Sequence, residues 1–247
     1  MINERDYLVN EIIQDKNARI LEIGPLNYPV IQKEAFSNCR YCDIRSTEEV
    51  KNLYSGNEYL QTTGIQVDID TIVEIDYVLK GTYAETFQGI EKFDYVIASH
   101  VLEHVEDIIG VLKDIGSVLK PEGKLCVFYP DKRYCFDHFR ESASFRDAYD
   151  VYRRGRRETA RMVLDFINTS IDENNPVRFW NAEDLSSLTP CNDPAKGIRD
   201  YERVLDGEMM DDIHYWPFTD HALSLIHIFS GTAGNDPHLR KGMGKGI

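Results

Sequence analysis

The sequence predicts an α/β fold built on a doubly wound, mostly parallel sheet. Three observations carry this expectation. Short apolar runs end in an acid or a glycine, amphipathic stretches with helical spacing stand between them, and the connections are short and broken by glycine and proline. With 247 residues and 42% hydrophobic content the chain can bury one large α/β core with an insertion, or two small ones.

Residues 4–15 place Tyr7, Leu8, Ile12 and Ile13 at helical spacing, predicting a short amphipathic helix ahead of the first strand. The stretch Arg19-Ile20-Leu21-Glu22-Ile23-Gly24-Pro25-Leu26-Asn27 then reads as a buried strand over about 18–24 that breaks into a turn. A buried parallel strand delivers backbone to a ligand at its carboxyl end in this way, so the stretch is the expected floor of a cofactor site. Arg40-Tyr41-Cys42-Asp43-Ile44 is the second strand. Its Asp43 stands where nucleotide-binding sheets put the carboxylate that accepts from ribose hydroxyls, although an ordinary helix-capping aspartate before Ser46-Thr47-Glu48-Glu49 would look the same. Ile72-Val73-Glu74-Ile75, ending at Asp76, is the expected third strand. Phe93-Asp94-Tyr95-Val96-Ile97-Ala98-Ser99 is the strongest strand signal and is expected at the centre of the sheet. A helix from about Val105 to Leu119 carries Ile108, Ile109, Leu112, Ile115, Val118 and Leu119 on one face, and Lys120-Pro121-Glu122-Gly123 is expected to stop it before a fifth strand ending at Tyr129.

The charge balance narrows the partners. Against 28 Lys and Arg stand 42 Asp and Glu, a net charge of -14, which argues against a nucleic-acid backbone or an anionic membrane and favours a small ligand. No apolar run reaches the roughly 18 residues of a spanning helix. Acids within Met1 to Asp6 do not fit a signal peptide, so a cytoplasmic location is expected. The five cysteines are odd in number and scattered, and Cys39-Arg40-Tyr41-Cys42 has no second C-x-x-C, so reduced thiols beside a strand are expected.

Taken together these residues resemble the class I S-adenosylmethionine-dependent methyltransferases over about Arg19 to Arg140. Leu21-Glu22-Ile23-Gly24 is similar to the family's first motif, Asp43 to its ribose-binding acid and Asp76 to the acid that holds the adenine amine. Phe93 to Val105 is similar to the fourth-strand signature and Leu119 to Leu125 to the turn before the fifth strand. The resemblance implies a Rossmann-like methyltransferase fold, S-adenosylmethionine as cofactor, and a cofactor site made by Glu22, Gly24, Pro25, Asp43, Asp76, Ser99 and His100. One departure stands out: the family usually carries further glycines after Gly24, where this chain has Pro25, Leu26 and Asn27. Three acids suit a ligand that presents an ammonium, two hydroxyls and an amine, and suit a dinucleotide's pyrophosphate poorly.

His100-Val101-Leu102-Glu103-His104 also fits H-x-x-E-H, a zinc-peptidase signature. Against it, the motif follows directly on a strand, so the two rings need not share a helix face, and no metal is expected. A non-catalytic cofactor-binding module is the other alternative. After the fifth strand, Asp131, Tyr134 and His138 are the candidates for taking a proton from an acceptor hydroxyl or amine, each also readable as an ordinary turn or surface residue. The acceptor is expected to be a small molecule, with a sugar or phosphorylated compound in view because Arg153, Arg157 and Arg161 follow helical spacing; a solvated face paired with Glu158 and Asp165 is the preferred reading of those arginines. The expected organisation is a cofactor-binding core over 1–140, a helical lid over 141–210, a last core segment over 211–229 and a disordered tail over 230–247, with the family's last two strands missing.

Overall fold

A computed structural model of the chain describes residues 7–56, 67–171, 188–210 and 213–223. The described strands are β1 (Ile20–Ile23), β2 (Cys39–Asp43), β3 (Tyr77–Val78), β4 (Phe93–Ser99) and β5 (Leu119–Phe128). They form one sheet in the order β3-β2-β1-β4-β5, and every pairing is parallel. The expected doubly wound fold is therefore present. All four residues of β1 are buried, as a strand with neighbours on both edges and cover on both faces must be. Residues Ile20, Cys39, Tyr41 and Ile97 of three adjacent strands share a core with Leu8, Ile13, Val30, Ile31 and Phe36.

The α-helices among the described residues are α1 (Thr47–Gly56), α2 (Tyr83–Thr86), α3 (Ile108–Val118), α4 (Phe145–Arg154), α5 (Arg156–Thr169) and α6 (Pro194–Leu205). Their boundaries follow local chemistry. Thr82 and Ser144 each begin a helix with a reciprocal capping box, to Glu85 and Asp147. Gly155, at φ +66°, ends α4 and starts α5 in a new direction. Ile108, Ile109, Leu112, Ile115 and Val118 are the buried stripe of α3, as the spacing predicts. Among the described residues no helix is long and apolar enough to cross a membrane.

Several expectations need correction. Residues 8–12 form a π-helical turn that follows directly on a helical Tyr7, and residues 4–6 of the expected helix lie outside the described residues. Ile72 to Ile75 is not a strand: the Val73 amide donates to the Leu26 carbonyl (3.0 Å) and the Ile75 amide to Thr47 Oγ1 (2.9 Å), and the ladder with β2 begins only at Tyr77. Asp76 thus lies before β3, level with Tyr41, and not at the carboxyl end of a strand. Residues 119–123 do not stop short of the fifth strand; they belong to β5, with a register irregularity opposite Phe93 and Tyr95. Arg153 does not share a helix with Arg157 and Arg161, because Gly155 separates α4 from α5. Residues 220–223 begin the helix expected at 220–229; the rest of it, the 230–247 tail and the question of the last two strands lie outside the described residues.

The chain divides into two compact units: Met1–Val101 with Asp114–Phe128, and Leu102–Lys113 with Tyr129–Ile247. The first contains the whole sheet. In the second, α5 and α6 meet closely enough that a Cβ at Gly197 would stand 2.9 Å from Leu164 Cδ1.

Candidate cofactor and acceptor sites

In the first unit the strand order reverses at β1, which leaves β2 on one side and β4 on the other. Ligands bind such sheets in the crevice beyond the strand ends at that point. The register fixes what stands there: Ile23 is level with Cys42 and with Ala98, so Gly24, Asp43 and Ser99 come next on three adjacent strands at the carboxyl edge.

Gly24 adopts φ +63°, its amide donates to the Cys42 carbonyl (2.9 Å), and an added Cβ would lie 2.9 Å from Val101 Cγ2. Only glycine meets both conditions without strain. Pro25 is buried and its carbonyl accepts from the Tyr28 amide. Leu26 takes φ +49°. The left-handed turn that a second glycine would make easily is therefore made by a leucine, at a cost of about 1–2 kcal/mol. His100, at the end of β4, also has a left-handed backbone, φ +54°, while its amide still donates to the Phe128 carbonyl (2.9 Å). Strained residues of this kind concentrate at functional sites.

The acids do different work. Glu22 is fully buried; its Oε1 accepts from the Val30 amide (2.6 Å) and its Oε2 from the Ile31 amide (2.9 Å), so its carboxylate shapes the loop after β1. Asp43 is half-buried at the end of β2, with Oδ1 accepting from the Arg45 amide (3.0 Å). Burial raises its pKa above the ordinary carboxylate value, against the opposing pull of the Arg45 amide and charge. Asp76 Oδ2 accepts from the Tyr41 amide and pairs with Lys33 Nζ, both at 2.6 Å. Its carboxylate ties the loop after β1 to β2. Cys39 and Cys42 are buried free thiols in β2, each pushed up to about 12 chiefly by burial, which leaves them poor nucleophiles.

In the second unit Asp131, Tyr134 and His138 share one loop. Asp131 caps the 3-10 turn Lys132–Tyr134 by accepting from the Arg133 amide (2.9 Å), and it is bound by the Arg133 guanidinium. Although burial opposes it, that arginine holds the Asp131 carboxyl below the usual range. His138 Nδ1 lies 2.9 Å from the Arg133 carbonyl, which makes Nδ1–H the donor and Nε2 the basic nitrogen. Tyr134 lies under the Arg133 guanidinium, 5.6 Å from its ring centroid. Of Arg153, Arg157 and Arg161, Arg161 pairs with Glu158, to which Arg154 of α4 also turns, while Asp165 pairs with Arg140.

Sequence reasoning missed a buried polar network among the described residues of this unit. Asp137, Arg140 and His214 are all buried. Asp137 Oδ1 accepts from Arg140 Nη1 (2.8 Å) and its Oδ2 lies 2.6 Å from His214 Nδ1, while Arg140 also donates to the His214 carbonyl (2.6 Å) and to Asp165 (2.9 Å). Burial would raise the Asp137 pKa, but the hydrogen bond from His214 and the charge of Arg140 hold it below the ordinary value. The only local signal was Asp137 and Arg140 three apart; nothing near them points to residue 214. The peptidase arrangement is not formed: Leu102–His104 is a three-residue 3-10 turn that starts after His100, so His100 and His104 do not stand one helical turn apart on a common face.

Solved structures give weak likenesses. The trans-methyltransferase CalH, in complex with SAH, is 24% identical over 50% of this chain and 35% of its own, with a TM-score of 0.32. The CcbJ methyltransferase from Streptomyces caelestis is 14% identical over 57% of this chain and 56% of its own, with a TM-score of 0.35. PKMT2 from Rickettsia typhi, in complex with AdoHcy, is 16% identical over 87% of this chain and 39% of its own, also at 0.35. The matched region spans between 35% and 56% of the length of these three proteins. Comparison with curated proteins gives no match. The family comparison is of another kind: the model of a methyltransferase domain matches residues 4–233. A match over nearly the whole chain is membership, and the chain belongs to the class I S-adenosylmethionine-dependent methyltransferase family.

Proposed function

We propose that the chain transfers the methyl group of S-adenosylmethionine to an oxygen or nitrogen of a small-molecule acceptor. The observation that carries this reading is the alignment of Gly24, Asp43 and Ser99 on three adjacent strand ends at the switch point of the sheet. The donor chemistry of the ligand fits these residues: an acceptor carboxylate at Asp43, a backbone with no side chain at Gly24, and a hydroxyl at Ser99. When bound, the cofactor supplies an electrophilic methyl carbon on a sulfonium, so the protein needs to align and desolvate more than to activate.

Each residue then has a task. Asp43 accepts from the two ribose hydroxyls, and Ile44 beside it, 51% exposed, offers apolar surface to the base. The loop 24–31 approaches the methionine part, held in shape by Glu22 and by the left-handed turn at Leu26. Ser99 and His100 flank the ligand at the end of β4. We assign Asp76 to fixing the loop through Lys33 and Tyr41, not to the adenine amine, because it precedes β3. On the acceptor side, His138 Nε2 is the better proton acceptor than Asp131, whose carboxylate is occupied by Arg133; Tyr134 orients the acceptor. We assign acceptor binding to residues 141–210, whose described helices are α4, α5 and α6.

A competition experiment tests the ligand class. Methyl-labelled S-adenosylmethionine bound to the chain should be displaced by S-adenosylhomocysteine and not by NAD at equal concentration. With fractionated small molecules as acceptors, label should appear in that pool, and His138→Gln should lower the rate by roughly 100-fold. Displacement by NAD, or label passing only to protein or nucleic acid, overturns the reading.

A further inference from the structure

The second unit gathers Glu103, His104 and His214, each able to present a ligand atom within 4.8 Å of the others. Glu103 and His104 come from the 3-10 turn Leu102–His104, and His214 from a segment far along the chain. Backbone pairing brings the two together: the Tyr215 and Trp216 amides both donate to the Glu103 carbonyl, at 2.8 and 3.3 Å, and Trp216 Nε1 donates to the Val105 carbonyl at 2.6 Å. The two imidazole centroids stand 4.7 Å apart at an interplanar angle of 77°.

Both rings are held in the tautomer a metal needs. His104 Nδ1 is 3.0 Å from the Ile213 carbonyl, which accepts its proton and leaves Nε2 as the donor atom for an ion. His214 Nδ1 is 2.6 Å from Asp137 Oδ2, and Asp137 is itself fixed by Arg140. A carboxylate or backbone carbonyl behind each coordinating imidazole is the outer shell that orients metal-binding histidines and raises their basicity. A fully buried carboxylate, Glu103, supplies the negative charge facing them. Two imidazoles and one carboxylate are the donor set of a borderline divalent ion, zinc above all, and are unsuited to magnesium or calcium, which take oxygen ligands.

We propose that Glu103, His104 and His214 form a mononuclear site for a zinc-like divalent cation. The ion joins the turn at 102–105 to the segment at 213–216. Three protein ligands leave a fourth tetrahedral position for water or an oxygen of a bound small molecule. The site shares two residues with the H-x-x-E-H motif but replaces His100 by His214 and uses Glu103 as a ligand, so it carries no peptidase chemistry.

The test uses the full chain, stripped by a chelator and titrated with zinc against a chromophoric competitor, and separately loaded with cobalt(II). One equivalent of zinc should bind and raise the melting temperature, since an ion that binds the folded chain stabilises it by mass action. The cobalt form should show visible d–d bands without a thiolate charge-transfer band. Glu103→Gln and His104→Gln should each weaken zinc binding by at least about 10-fold, and Asp137→Asn by about 10–100-fold. Failure of the parent chain to take up zinc overturns the proposal, as does a thiolate band or binding that survives both ligand substitutions. Should a substitution prevent folding, the parent chain's stoichiometry and cobalt spectrum still decide. The proposal is independent of methyl transfer, whose cofactor binding is read separately with S-adenosylhomocysteine.

Discussion

Replacing Gly24 by alanine should disable the loop that follows β1. At φ +63° an L-residue pays about 1–2 kcal/mol. The new methyl group would stand 2.9 Å from Val101 Cγ2, inside the ordinary carbon–carbon contact of about 3.5–4.0 Å. Relieving such overpacking in a filled region costs about 1–3 kcal/mol. The sum is about 2–5 kcal/mol, which at about 2–4 °C per kcal/mol for a chain of this size lowers the melting temperature by roughly 5 °C or more. Gly116 is the control: it lies in α3 with open space around its would-be Cβ, so Gly116→Ala should leave stability unchanged or improve it by up to about 1 kcal/mol. Thermal unfolding followed by circular dichroism, with S-adenosylhomocysteine affinity measured on the same samples, reads both effects. A Gly24→Ala chain that melts and binds like the parent would refute the left-handed turn and the close approach of Val101.

Glu22→Gln replaces one of two buried acceptor oxygens by an N–H donor facing the amides of Val30 or Ile31, and should cost about 1–3 kcal/mol in a urea titration; an unchanged midpoint contradicts the assigned contacts. The pH dependence of S-adenosylhomocysteine binding should report Asp43. In the proposed site the ribose hydroxyls would donate to its ionised form, so affinity should be full at neutral pH and fall as pH drops through the Asp43 pKa; because burial raises that pKa, the fall should begin above the ordinary value of about 4, and Asp43→Asn should abolish it. In the folded chain only the exposed Cys191 should react quickly with a disulfide-exchange reagent, since Cys39, Cys42 and Cys135 are pushed up to about 12 and Cys126 to about 11, chiefly by burial. A second fast thiol before denaturation would contradict that burial.

The parallel sheet was legible because β1, β2 and β4 are short runs with apolar residues that end in, or are followed at once by, a polar residue or glycine, a local pattern that survives folding. Ile72 to Ile75 has the same β-branched look, yet its amides are satisfied by Leu26 and Thr47 outside any ladder, and hydrogen-bond partners cannot be read from side-chain type. That error moved Asp76 to a strand end it does not occupy. The puzzle of the missing glycine resolves into conformation: Leu26 takes the left-handed backbone itself, which a residue name does not disclose. Gly155, by contrast, was a visible break in the run of arginines, and weighing it would have separated Arg153 from Arg157. The Asp137, Arg140 and His214 network, and the meeting of His214 with Glu103 and His104, depend on pairings across long stretches of chain. Neither periodicity nor motif spacing carries that information.

The central claim is that a donor-rich cofactor binds where Gly24, Asp43 and Ser99 end their strands. Calorimetric titration of the parent chain and of Asp43→Asn with S-adenosylhomocysteine tests it most directly. The structure predicts one site on the parent and affinity lowered by about 10-fold or more in the variant, since a hydrogen bond to a charged group contributes about 1.5–3 kcal/mol. No binding by the parent, or equal binding by the two chains, would contradict it.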